Sequence, residues 1–200
     1  MIILINFMVK TFVVNIFGGP GIGKTTIATL LFAQLKLRGH IVEYIQEYPK
    51  FLVWTKQFEK LNNQYFVSQK QYNLLKQIDG NVEFIVTDGP IVQALYYNKF
   101  NQDNISNVDK TEKMILKCFS QFNNINIFLE RGNFNYEPQG RIQTEDEAKE
   151  IDIILKSMME KNNIDFEIFK SDPGIINDIC KYIVYFLELE NNKKNLINNI

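Results

Sequence analysis

An α/β fold with a central parallel sheet, flanking helices and a small lid is predicted by three features of this 200-residue chain. Apolar runs of strand length alternate with segments of helical period. A glycine-rich loop joins the first such run to the first such segment. Charged residues stand at the ends of the later runs, and ligands of parallel α/β sheets bind at the carboxyl ends of the strands.

Residues 9–17 are a continuous β-branched and aromatic run, as expected of a central strand buried on both faces, and Gly18 ends it. Over 24–37, Ile27, Leu30, Leu31 and Leu35 recur at helical spacing, and Arg38-Gly39 supplies the stop. Residues 40–46 read as a second strand, closed at Glu47-Tyr48-Pro49 because proline disfavours helical geometry in the residue before it. Residues 50–78 carry Phe51, Trp54, Phe58, Phe66 and Tyr72 among Gln and Lys, a pattern of two helices. Core packing is the expected fate of these rings, and stacking on a flat ligand is the alternative.

A third strand, 82–87, ends at Asp88-Gly89-Pro90. A short apolar segment (91–100), a polar loop (101–109) and a helix (110–122) lead to a fourth strand, 126–129, that ends at Glu130-Arg131. Gly, Asn and Pro make 132–140 a flexible excursion, and 144–159 has helical spacing with an acidic first turn. A strand over 165–169 and a helix over 174–189 complete a single domain, 1–190, whose lid spans about 131–145. Residues 191–200 are low-complexity and expected to be disordered. Residues 1–7 read as an over-extended start or a short added strand, and the frequent Asn, Ile and Lys as coding bias.

A hydrophobic content of 46% with 13% aromatics is enough for a sizeable core. The formal net charge of -1 leaves no global basic field to draw the chain onto a nucleic acid or an acidic membrane. The opening MIILINFMV is too short for a membrane span and lacks the basic and small-residue flanks of a signal peptide. Cys118 and Cys180 each lie in an apolar helical run and are expected as buried free thiols, which points to the cytoplasm. His40 is read as a surface residue, and with two distant cysteines it forms no metal-ligand cluster.

Gly18-Gly19-Pro20-Gly21-Ile22-Gly23-Lys24-Thr25 matches G-x-x-x-x-G-K-[ST] between a strand and a helix. Glycines let the backbone wrap phosphate oxygens with N–H groups pointing inward, and the helix dipole adds positive potential. Lys24 is expected at the β and γ phosphates and Thr25 on Mg²⁺, with Thr26 completing the nucleotide-binding stretch. The predicted architecture is therefore the three-layer P-loop NTPase fold. Asp88 is placed to hold Mg²⁺ through a water or to accept a proton, and its plain alternative is a turn aspartate. Glu47 ends a strand where it can act as a base on a substrate hydroxyl or hold a ribose. Arg131 and Arg141 flank the lid excursion, a natural source of positive charge for a transferring phosphoryl group. The chain has no NKxD guanine signature, so ATP is the expected donor.

The segments FGGPGIGKTT, EYIQEYPK, VTDGP and FLERGNFNYEPQGRIQTEDEAKEID together resemble the small P-loop kinases of the nucleoside and nucleotide kinase class. The similarity is in particular to ribosylnicotinamide-kinase-like, AAA-type ATPase P-loop domains and their phage-encoded relatives. The resemblance implies that Glu47 handles the acceptor hydroxyl and that Asp88 matches the acidic residue of an Asp-Arg motif. Gly89 stands where many such kinases have arginine, so Arg131 or Arg141 would substitute. It further implies an ATP- and Mg²⁺-dependent kinase acting on a small nucleoside- or nucleotide-like hydroxyl, with Thr25 and Asp88 on the metal and Lys24, Glu47, Asp88, Arg131 and Arg141 serving transfer. Two alternatives are carried: a kinase of a hydroxymethylated pyrimidine in DNA, and a P-loop ATPase switch with no acceptor. The near-neutral charge weighs against the first of these. The sequence sets no oligomeric state.

Overall fold

The computed structural model describes residues 9–198 apart from 133 and 140, without the side chains of 191 and 193–198. The expectation for residues 1–7 falls outside the described residues. Strand β1 (Phe12–Phe17) is buried along its whole length, and its alternating side chains divide the core in two. Phe12, Val14 and Ile16 join one apolar cluster, while Val13 and Phe17 join the other. This is the period of two imposed by a pleated strand covered on both faces.

Strands β2 (Val42–Ile45), β3 (Phe84–Thr87), β4 (Asn123–Glu130) and β5 (Glu167–Lys170) complete one sheet in the order β2-β3-β1-β4-β5. Every pair in it is parallel. Helix α1 (Lys24–Leu37) and helix α8 (Ile176–Asn198) cover one face, through Ile27, Leu31 and Leu35 against Ile179 and Ile183. The other face is covered by α4 (Gln64–Ile78), α5 (Ala94–Phe100), α6 (Val108–Phe119) and α7 (Glu145–Lys161). Leu75, Leu95, Ile115 and Leu155 are their buried contributions. The three-layer P-loop fold predicted from the sequence is the one observed.

Several boundaries differ for identifiable reasons. β4 begins at Asn123, ahead of the expected 126, because its asparagines pair with the sheet. Asn15 Nδ2 donates to Asn124 Oδ1 at 2.9 Å and to Asn126 Oδ1 at 3.0 Å, and Asn123 Nδ2 donates to the Thr11 carbonyl at 3.0 Å. These asparagines therefore have a structural role that the coding-bias reading missed. The 50–78 segment holds three helices, with α2 (Tyr48–Trp54) and α3 (Phe58–Leu61) ahead of α4. Pro49 sits in the first turn of α2, where a missing N–H costs nothing. Helix α7 starts at a capping box, in which Thr144 Oγ1 accepts from Glu147 N and the Glu147 carboxylate accepts from Thr144 N at 2.6 Å. The backbone of α8 stays helical to Asn198, past the expected end at 189 and into the stretch expected to fray. Cys118 and Cys180 are buried free thiols, as expected. His40 is half-buried, with Nδ1 3.2 Å from Glu83 Oε2. No helix among the described residues is long and apolar enough to cross a membrane.

Candidate active site

The loop between β1 and α1 needs glycine for its shape. Gly21 and Gly23 have φ of 76° and 94°, a region that side chains strongly disfavour. A β-carbon at Gly23 would also sit 2.6 Å from Cδ2 of Phe134. Lys24, the first residue of α1, is only 9% exposed and folds back over the loop. Its ammonium donates to the Gly18 and Gly19 carbonyls at 2.8 and 3.0 Å. A lysine has three N–H donors, so one remains for a phosphate oxygen. Burial pushes the Lys24 pKa down, and the Glu47 and Asp88 carboxylates oppose that shift.

The carboxyl ends of β2 and β3 bring Glu47 and Asp88 to the mouth of this loop. Asp88 is fully buried. Its Oδ2 accepts from Thr25 Oγ1 at 2.5 Å, and its Oδ1 accepts from the Glu47 backbone N–H at 3.0 Å. Burial and the neighbouring Asp88 carboxylate push the Tyr44 hydroxyl above its ordinary pKa. The Thr25 hydroxyl and the Asp88 carboxylate are hard oxygen donors at one point beside the phosphate loop. That chemistry suits Mg²⁺, which takes few protein ligands and completes its shell with water and phosphate. The Glu47 carboxylate, in contrast, accepts no hydrogen bond from any described residue that would occupy its lone pairs. Burial pushes its pKa up, with Lys24 pulling it back and Asp88 adding to the rise.

Gly89 accounts for the position of Glu47. A β-carbon at residue 89 would stand 2.6 Å from both Cα and Cβ of Glu47 and 3.2 Å from Gln71 Nε2. The arginine that many similar kinases carry there would collide with the Glu47 backbone, so glycine is what this packing admits. Gly89→Ala is expected to crowd Glu47 and cost ~1 to 3 kcal/mol of stability, the scale of an overpacked site. A thermal melt checks this: an unchanged midpoint would show that the turn admits a side chain at residue 89.

Gln71, on α4, completes the support. Its Oε1 accepts from Tyr48 N at 2.9 Å, and its Nε2 reaches the Gln46 carbonyl and Thr87 Oγ1 at 3.4 Å. The turn carrying Glu47 is thus tied to the helix packed behind it.

The two arginines separate. Arg131 lies against the outside of the phosphate loop, where its Nε is 2.7 Å from Asp152 Oδ2 and its Nη2 donates to the Pro20 carbonyl at 3.1 Å. Asp152, from α7, also accepts the Gly19 N–H. The geometry makes Arg131 a clamp on the loop. Arg141 lines the cavity beside Lys24 and Glu47, its Nε donating to the Glu137 carbonyl at 2.5 Å and its guanidinium 5.5 Å from the Tyr136 ring centre. The lid segment between β4 and α7 carries both Phe134 and Tyr136 onto the glycine loop, against Gly23 and Gly21. Asp152→Ala should loosen the loop and weaken its hold on a nucleoside triphosphate by ~10-fold or more, on the ~1.5 to 3 kcal/mol scale of a lost hydrogen bond to a charged group. A calorimetric titration with ATP reads this out.

A cavity of about 1000 Å³ opens from Lys24 and Glu47 toward α2, α3 and α5. Phe51, Trp54 and Phe58 are 56%, 61% and 46% exposed, which overturns their expected packing in the core. Trp54 and Phe58 line the cavity mouth. Tyr97, Gln64 and Gln93 also line it, and none of the three was singled out by the sequence. All lie on helices in which only the assembled fold shows which face meets the cavity.

A parallel five-stranded sheet, a glycine loop capped by a buried lysine, and a hydrogen-bonded Thr-Asp pair beside that loop define a P-loop nucleotide-binding protein. A family model described as an AAA domain matches residues 13–173, and the chain belongs to that family. Among solved structures it is similar to a deoxyadenosine kinase from M. mycoides, solved with the products dCMP and a flexible dCDP bound. The two share 18% identity at a TM-score of 0.53, over 88% of this chain and 98% of the other, a likeness of fold. No curated protein matches the chain.

Proposed function

We propose that the chain is an ATP- and Mg²⁺-dependent kinase that transfers the γ-phosphate to a hydroxyl of a small nucleoside- or nucleotide-like molecule. One observation carries this reading: a cavity of about 1000 Å³ begins at the phosphate loop and has Glu47 in its wall. A triphosphate on the loop would present its γ-phosphate to that cavity, and an acceptor hydroxyl would meet a carboxylate with open lone pairs. Glu47 is the base, since its carboxylate lies in the cavity wall beside Lys24, where an acceptor hydroxyl would meet the loop, and burial raises its proton affinity. Asp88, held by Thr25 and the Glu47 N–H, serves the metal. Arg141 neutralises the transferring group, while Arg131 holds the loop that binds the donor. A switch ATPase without an acceptor leaves the cavity and the placement of Glu47 unexplained.

The exposed rings of Phe51, Trp54 and Phe58, next to Lys50, Lys56 and Lys60, support a second reading in which the accepting hydroxyl sits on a nucleic-acid strand. Both readings are tested by offering γ-labelled ATP and Mg²⁺ with nucleosides, nucleoside monophosphates, ribosylnicotinamide and hydroxymethylpyrimidine DNA. Label in a small-molecule product supports the first reading, and label in DNA alone supports the second. Label only in inorganic phosphate rejects both.

A further inference from the structure

Resting on the kinase reading, the cavity also carries information about the acceptor's ring. Gln93 ends the short 3-10 turn Ile91–Gln93 that follows Asp88-Gly89-Pro90. It is 7% exposed and lines the cavity, and its Oε1 is buried with no hydrogen-bond partner among the described residues. The neighbouring buried glutamines are different. Both ends of Gln71 are engaged, and Gln64 Nε2 donates to the Leu61 carbonyl at 2.8 Å. A buried carbonyl left without a donor costs roughly 1 to 3 kcal/mol, a deficit that a ligand N–H removes.

The rest of the cavity lining narrows the ligand further. Ile91 and Val67 are buried apolar side chains on its wall, and Tyr97 and, at the mouth, Phe58 add aromatic faces. Apolar and aromatic walls suit a flat ring, while a single unpaired acceptor at its edge selects orientation. We propose that Gln93 is a specificity-determining residue that accepts a hydrogen bond from a ring-edge N–H of the acceptor. The acceptor is therefore a planar heterocycle bearing an amino, amide or imide N–H, with its hydroxyl directed to Glu47. Purely aliphatic acceptors would leave the Gln93 carbonyl unpaired, and carbohydrates, whose hydroxyls can donate to it, would leave the apolar and aromatic walls unmatched.

The test pairs each ring with a methylated copy that lacks the N–H: cytidine with N4,N4-dimethylcytidine, adenosine with N6,N6-dimethyladenosine, and thymidine with N3-methylthymidine. Trp54, the single tryptophan, lies in the cavity wall, so its fluorescence reports binding without requiring turnover. For the best-bound pair, the wild-type protein should prefer the N–H form by about 10- to 100-fold, seen in Kd and in KM with kcat little changed. Gln93→Leu should reduce that preference to near unity. Gln93→Glu, which keeps an acceptor and removes the donor, should retain it and so guards against a folding defect in the leucine variant. Equal preference in Gln93→Leu and wild type would overturn the assignment, as would its loss in Gln93→Glu together with Gln93→Leu. Selective binding without phosphoryl transfer would reject the kinase reading and leave Gln93 in its role. No binding by any of the six compounds would reject both.

Discussion

Glu47→Gln is expected to lower phosphoryl transfer by ~10²- to 10⁴-fold, the usual contribution of a positioned general base. Glutamine keeps the size of the side chain and the backbone N–H that Asp88 Oδ1 accepts, so the carboxylate's ability to take a proton is what changes. Glu47 is suited to the task because its neighbours leave it available. Thr25 and the residue-47 amide occupy Asp88, whereas the Glu47 carboxylate faces the cavity beside Lys24. Binding of an ATP analogue should remain close to wild type, because the loop and Lys24 are untouched. Single-turnover rates with saturating ATP isolate the chemical step, and a variant that transfers as fast as wild type would remove Glu47 from the mechanism.

Lys24→Ala is expected to reduce kcat by ~10²- to 10³-fold or more and to weaken triphosphate binding, the scale of removing one preorganised electrostatic contact from a transition state. The ammonium has two duties. It joins the Gly18 and Gly19 carbonyls across the loop, and its remaining N–H would serve a phosphate oxygen of a bound triphosphate. Lys24→Arg separates them from charge alone. A planar guanidinium retains the charge but cannot set three donors around one point, so it should rescue little. Calorimetric titration with ADP and ATP distinguishes the roles. Loss of a γ-phosphate contact weakens ATP more than ADP, whereas collapse of the loop weakens both equally.

The phosphate loop was legible in the sequence because its chemistry is contiguous: the backbone of eight successive positions makes the site. The positions of Glu47 and Asp88 were legible for another reason, since Asp88 directly follows β3 and Glu47 follows β2 after one residue, in a parallel sheet whose strand ends lie along one edge. Arg131 and Arg141 were singled out by their position about the 132–140 excursion, but their separation, one against the loop and one in the cavity wall, was not legible. It depends on Asp152, which faces the loop only once α7 has packed across the sheet. Gln71 escaped notice because glutamine in a helical pattern reads as a solvent-facing residue, and Gln93 because it stands alone in a short apolar segment with no motif around it. Gly89 read as a departure from a related motif, and its physical cause is that a β-carbon there would stand 2.6 Å from Glu47, a contact that no local pattern encodes. The aromatic residues of α2 and α3 were misassigned for the converse reason. Ring spacing along a helix specifies a face without saying whether core or cavity lies beyond it, and here Trp54 and Phe58 meet the cavity.

The stoichiometry of ADP to phosphorylated acceptor most directly tests the claim that the γ-phosphate is directed to a hydroxyl held at Glu47. With ATP, Mg²⁺ and the bound nucleoside, the account predicts one phosphomonoester per ADP, and ADP formation that falls sharply when the nucleoside is omitted. ADP matched by free phosphate at the same rate with and without a nucleoside would contradict it.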